Sequence, residues 1–454
     1  VTSDVRRLGI GAITMSSESS CIGSEVNVKI IPKPKVINSR KPNVKQLAVS
    51  GTVYASRHKR PTHMGAPSVI SFLYLFIRFL EYAQKLPVDD RFWPKESGDW
   101  RYNQLSLAFS RGGLFDTWTS HPPLTSFILW VLTQTVYINL VEIILSLTTF
   151  VVCIFVFYRF ALELHGKKHA FIGCVFFVLV TCFFGEKWRW VDNTFLLMNL
   201  VSLRLLLNQH NMSHRTLLSG LAAGVSAMLR VFPSLCVIIV ALKILPFREK
   251  LRFMSSFAFV VGLICFPFLW ANPTIFFSSW VWQATRPPYS TIWALLQPDA
   301  GLFTTRGMEP RAAEMITPFL LSHVDFSLIN IVCSVGLIVS LAALLFIAPC
   351  PRNKRGIVYF TTIALVITEF WYKCWTGFGL EPMVLLSIPS PAIFGLLALL
   401  KQLKIIKDWC RAEFEVLGYD AAWLLLQLVI WARTIILLLI LGSVAYVMKK
   451  NWSR

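Results

Sequence analysis

The sequence predicts an all-α, polytopic membrane protein, and three observations predict it. Of the 454 residues, 55% are hydrophobic and only 15% charged, with a mean hydropathy of +0.59. Soluble domains carry about a quarter charged residues. The apolar residues also cluster into runs, many of which approach the roughly 20 residues that cross a bilayer as a helix. Finally, Lys and Arg gather in the short connectors between runs, the distribution that membrane insertion imposes on cytoplasmic loops.

The runs fall at 67–87, 139–163, 169–184, 193–207, 215–229, 231–246, 253–271, 326–348, 357–372, 380–400 and 422–447. A twelfth, 122–137, is shorter and carries Thr125, Ser126, Thr133, Gln134 and Thr135. Charge arbitrates whether it crosses. Basic connectors lie at 165–169, 210–215, 247–252, 351–355 and 401–411. If 122–137 stays on one face, all five share the side of the basic N-terminal segment, as the positive-inside rule requires. About eleven transmembrane helices are therefore expected, with the N-terminus inside and the C-terminus outside. Only Lys449 and Lys450 disagree with that arrangement.

Residues 1–65 are rich in Ser, Val, Lys and Arg without helical periodicity or a continuous apolar stretch. They read as a disordered basic cytoplasmic tail rather than a secretory signal. Residues 66–450 form the membrane domain. The net charge of +20 does not indicate nucleic acid, because the cations are distributed among loops instead of lining one surface. Ten cysteines occur singly, with no C-x-x-C pair, and read as small buried hydrophobes.

This topology gathers the unusual residues on the outer face, chiefly in loops 88–138 and 272–325. In the first, Asp99, Tyr102, Leu105, Ser106 and Phe109 recur at helical spacing, and Gly112-Gly113 ends an amphipathic helix. Asp116 and Trp118 lead to His121-Pro122-Pro123, a favourable helix start. Asp99 reads either as a helix cap or as a reactive carboxylate. A second piece, 186–193, packs Glu186, Asp192, two bases and two tryptophans between runs; it fits an interfacial belt or a sugar-facing wall. Arg230 sits at the break before Pro233, where it needs a partner such as Asp192 or Glu186, or else grips a phosphate. Arg286, in Arg286-Pro287-Pro288-Tyr289-Ser290, has the planar fork that suits phosphate oxygens. Lys373 stands at the outer end of a run and either snorkels or meets a lipid phosphate. No P-loop, dinucleotide fingerprint or zinc motif is present, so soluble nucleotide cofactors are not supported.

In order and sidedness these pieces resemble the GT-C superfamily of membrane glycosyltransferases, nearest to prokaryotic polyprenol-phosphate-mannose-dependent enzymes. Asp99 through Gly112-Gly113 and His121-Pro122-Pro123-Leu124 resembles the family's aspartate, amphipathic helix, glycine and Pro-Pro-Leu pattern. Trp190-Val191-Asp192-Asn193 stands where relatives often have a Gly-Gln-x-Asp-like element, and Ala227 to Pro233 resembles their small-x-x-Lys-x-x-Pro element with Arg230 for Lys. Arg286 to Leu296 resembles their Arg-x-x-x-Ser-x-Trp-x-Leu-Leu segment. The family's glutamine near Asp192 is missing, His121 replaces an acidic residue or Tyr, and Cys374 to Phe378 replaces a Ser-Pro-Gln-like element.

The resemblance implies an inverting hexosyltransferase that moves a sugar, mannose above all, from a polyprenyl-phosphate carrier to a glycan, lipid or protein acceptor. Asp99 would be the base. Asp116, His121, Glu186, Asp192 and Tyr102 would line the substrate site, and Arg230, Arg286 and Lys373 would hold the donor phosphate. No ligand set for a divalent metal stands out. A prokaryotic plasma membrane is the favoured setting and the endoplasmic reticulum the alternative. A lipid or solute transporter, or a non-catalytic GT-C-like subunit, are the competing readings.

Overall fold

The computed structural model describes residues 65–85, 113–116, 122–134, 138–184, 190–207, 212–277, 280, 291–296, 328–351, 353–371, 380–412 and 417–452. All belong to one unit, Thr62–Arg454. Among them every regular element is helical: α1 (Gly65–Lys85), α2 (Pro123–Thr133), α3 (Ile138–His165), α4 (Lys167–Phe184), α5 (Trp190–Leu207), α6 (Met212–Leu229), α7 (Val231–Ile244), α8 (Phe247–Ala271), α9 (Leu328–Phe346), α10 (Lys354–Thr368), α11 (Leu380–Ser387), α12 (Pro391–Ala412) and α13 (Tyr419–Trp452), with a 3-10 turn at Ile292–Leu296. Five helices hold segments long and apolar enough to cross a membrane: Ile144–His165, Trp190–Leu207, Phe247–Ala271, Leu328–Phe346 and Asp420–Lys450. These segments give the protein its multi-pass membrane character.

The breaks between helices follow from local chemistry. Gly166, with φ of 79°, ends α3, and Gly418, with φ of 77°, precedes α13; this left-handed region suits glycine because it lacks a Cβ. Asn353 caps α10, its Oδ1 accepting from the Gly356 amide at 2.7 Å. At Arg230 the chain leaves the helix (φ −151°, ψ 115°) and Pro233 falls in the first turn of α7, where a missing N–H costs nothing. Helix α2 opens on Pro122 and Pro123 and is 11 residues long. At 1.5 Å per residue that is about 16 Å, too short to cross a core of about 30 Å.

Small residues set the closest approach in the bundle. Gly220 and Gly224 of α6 face α8, where a Cβ would collide with Ser256, with the Phe253 and Phe257 carbonyls and with Val260. Membrane helices lack a hydrophobic drive toward one another, so such backbone contact supplies much of their attraction. Ser202 and Ser219 exchange hydroxyl hydrogen bonds at 2.9 Å between α5 and α6. The apolar core behind them includes Phe150, Phe157 and Phe177, the last two stacked with ring centroids 4.9 Å apart.

Contacts between helix ends give the bundle two distinct ends. Glu163 of α3 meets Arg204 of α5 and Lys354 of α10, Arg355 donates to the Leu164 carbonyl, and Lys243 of α7 donates to the Leu345 carbonyl of α9. These define a basic end. At the other end Thr125 of α2 donates to the Leu229 carbonyl, Arg230 meets Asp192, and Asn272 meets Asp116.

Three expectations about the C-terminal third change here. The run 380–400 is not one span. It breaks at Pro389 and Pro391 into the short α11 and the longer α12. Helix α11 is wholly buried, and its tip reaches the basic end: His165 Nε2 donates to the Leu386 carbonyl at 2.5 Å. Pro389 then lies against Gly173 and Phe394 stacks on Phe176, so α12 climbs away from the basic end alongside α4. Lys401 returns to meet Glu381 at 2.6 Å, closing a helical hairpin. The basic segment 401–411, expected beside the other basic connectors, therefore lies toward the opposite end. Helix α13 starts there, with Ala422, Leu426 and Ile430 packed on Ala294. It descends so that Lys449 and Lys450 emerge at the basic end, not at the outer end expected of the C-terminus.

Candidate functional site

The end opposite the basic one brings together three of the nine candidate residues. Asp192 lies in the first turn of α5, positioned because Trp190, Val191 and Phe195 bury in an apolar cluster with Leu114, Leu129, Leu132 and Leu229. Arg230 follows the last turn of α6, its amide donating to the Ser226 carbonyl at 2.8 Å. Its extended backbone turns the side chain toward α5. Nε and Nη2 both donate to one Asp192 oxygen, Oδ1, at 2.9 and 2.8 Å. Both side chains are about one quarter exposed. Arg230 thus takes Asp192 as its partner, the first of the two roles open from the sequence.

Beneath this pair a hydroxyl network ties the helices. Ser234 of α7 donates to Ser226 Oγ at 2.9 Å and Ser226 to the Phe195 carbonyl at 3.3 Å. Asn193 donates to Ser146 of α3 at 3.0 Å. These bonds tie α3, α5, α6 and α7 together beneath Asp192 and Arg230.

Asp116 is exposed and accepts from Asn272 Nδ2 at 3.1 Å. Asn272 ends α8, and its Oδ1 accepts from the Ile275 amide at 3.1 Å, starting the helical turn 273–277. Phe115 packs edge-on against Phe268 with centroids 5.3 Å apart, anchoring the segment beside α8. Gly113 has φ of 74°, in the left-handed region that suits glycine. The helix predicted over 99–112 lies outside the described residues. So do Asp99, Tyr102, His121, Glu186, Arg286 and Lys373.

Sequence reading missed two interior ion pairs. Glu369, just past α10, and Arg433, in the middle of α13, meet with only 4% and 5% of their side chains exposed. Arg433 Nη2 donates to Glu369 Oε2 and to its carbonyl, both at 2.9 Å, while Arg433 Nε is buried without an acceptor. Next to them Trp293 Nε1 donates to the Phe370 carbonyl at 2.7 Å, fastening the 3-10 turn over the end of α10. The second pair is Glu381 with Lys401. The signal was available: each of these charges stands within or at the edge of an apolar run, and intramembrane charges mark function or a partner.

Among the described residues no group of three His, Cys, Asp or Glu side chains comes close enough to hold a metal ion. Seven cysteines are free there, six buried and Cys350 exposed. No protein-family model matches the chain, and neither a curated protein nor a solved structure does.

Proposed function

We propose that this protein is a GT-C-like glycosyltransferase that transfers a sugar, mannose in the first instance, from a polyprenyl-phosphate carrier to an acceptor on the extracytoplasmic face. The observation that carries the reading is the Asp192–Arg230 pair. It is partly open, held by one carboxylate oxygen, and set at the same end as Asp116, away from the basic connectors.

In such a transfer Asp99 takes the proton of the acceptor hydroxyl as that oxygen attacks C1 of the sugar. The bond from C1 to the phosphate oxygen breaks, and its electron pair leaves on the lipid phosphate. The leaving group is already an anion, so positive charge matters more than a general acid. Arg286 and Lys373 supply it directly, while Arg230 shares its charge with Asp192. Tyr102, Asp116, His121, Glu186 and Asp192 hold the sugar and acceptor hydroxyls. A prokaryotic plasma membrane is the proposed location, with the endoplasmic reticulum as the alternative.

One observation favours a second reading, a lipid or solute transporter: the interior pairs Glu369–Arg433 and Glu381–Lys401, since transport pathways place charges deep in the bundle. The test supplies purified protein in lipid nanodiscs with radiolabelled polyprenyl-phosphate-mannose and a crude acceptor pool. Transfer by the parent and none by Asp99→Asn is expected. Equal transfer by both removes Asp99 as the base. No transfer, with labelled lipid crossing reconstituted vesicles, moves the protein to the second reading.

A further inference from the structure

The tertiary structure gathers positive charge from distant chain segments at one end of the bundle. Lys167 and Lys168 open α4, Arg248 and Arg252 lie in the first turns of α8, Lys354 opens α10, and Lys449 closes α13. All six are exposed. The acids that the described residues place among them are Glu163, bonded to Arg204 and Lys354, and Glu249, bonded to Arg252.

Apolar side chains flank the same charges. Phe247, immediately before Arg248, is 74% exposed, and Phe346, the last residue of α9, and Ile347 after it are 79% and 81% exposed. A soluble polyanion has no use for that combination. A bilayer surface does, because phosphate oxygens meet the cations while the rings enter the acyl boundary.

We propose that this end is a docking collar for anionic phospholipid headgroups of the leaflet it faces. The collar is assembled from four chain segments that only the folded bundle brings together, the last of them the end of α13. It is independent of the reaction proposed for the opposite end.

The full-length protein is placed in nanodiscs of phosphatidylcholine alone or mixed with phosphatidylglycerol, and its thermal unfolding midpoint is read. The parent midpoint is expected to rise with phosphatidylglycerol. The variant Lys167→Gln/Lys168→Gln/Arg248→Gln/Lys449→Gln is expected to lose at least half of that rise. An equal midpoint in both lipids, or an undiminished rise in the variant, overturns the proposal. Should the variant not fold, native mass spectrometry of the parent decides: preferential retention of phosphatidylglycerol supports the collar, and equal retention of both lipids overturns it. Inorganic phosphate in phosphatidylcholine discs forms the last arm. A rise equal to that from phosphatidylglycerol makes the site one for free phosphate and also overturns the lipid assignment.

Discussion

Arg433 and Glu369, 64 positions apart, meet inside the bundle, where Arg433 Nη2 donates at 2.9 Å to both the carboxylate and the carbonyl of Glu369. A charge taken out of water is stable only with a partner. The pair therefore fixes how α13 packs against the end of α10. Arg433→Leu alone leaves Glu369 unmatched and is expected to cost about 3–5 kcal/mol, whereas Arg433→Leu with Glu369→Met recovers most of the loss. Thermal unfolding in detergent of the two single variants and the double one measures this coupling; additive losses would show that the pair does not act as a unit.

The Asp192–Arg230 pair differs, because its partial exposure lets water screen it. Stability is expected to change by less than about 1 kcal/mol on Asp192→Asn. Arg230→Lys keeps the charge but cannot place two nitrogens on Oδ1. Sugar transfer is expected to fall roughly tenfold in Arg230→Lys, the rate equivalent of about 1.4 kcal/mol. Initial rates at saturating donor check it, and unchanged rates would reduce the pair to a structural clasp.

Close helix packing yields a sharper contrast. Gly220→Ala drives a methyl into Ser256 and the Phe253 carbonyl, so α6 and α8 must separate. A loss of about 1–3 kcal/mol is expected, as for other overpacked sites. Gly262→Ala on α8 meets nothing within 4 Å and is expected to be neutral or to gain up to about 1 kcal/mol of helix propensity. Melting curves of the two variants side by side give the answer.

Chain direction in the last third is open to chemical labelling. In a cysteine-free background, cysteine at Asp420 is expected to react with an impermeant reagent from the side of Asn272. Cysteine at Lys449 should react only from the side of Lys168. Labelling of the Asp420 position from the side of Lys168 and of the Lys449 position from the side of Asn272 would contradict the α11–α12 hairpin.

Much of the fold was legible because hydropathy and local breakers act over short stretches. The helix starts at Pro123 and Val231, the stops at Gly166 and Arg230, and the short α2 all follow from a few neighbouring residues. The candidate site was less legible. Asp192 with Arg230 was one of several possible pairings, since both residues lie at run boundaries where any acid and any base could meet. Asn272 as the partner of Asp116 gave no local signal. Glu369 and Arg433 did, as charges within apolar runs, but only packing identifies them as partners.

By itself, then, the sequence determined that this protein is a helical membrane protein with its cations gathered between runs, because bilayer thickness and backbone hydrogen bonding leave an apolar run little choice but a helix. Tertiary structure decided direction. The 21-residue run at 380–400 has the hydropathy of one span, whichever way its halves point. Pro389, Pro391 and the pairing of Glu381 with Lys401 fold it back on itself. That single reversal sends 401–411 toward the carboxylate-bearing end and returns Lys449 to the basic one, an outcome set by contacts between distant residues.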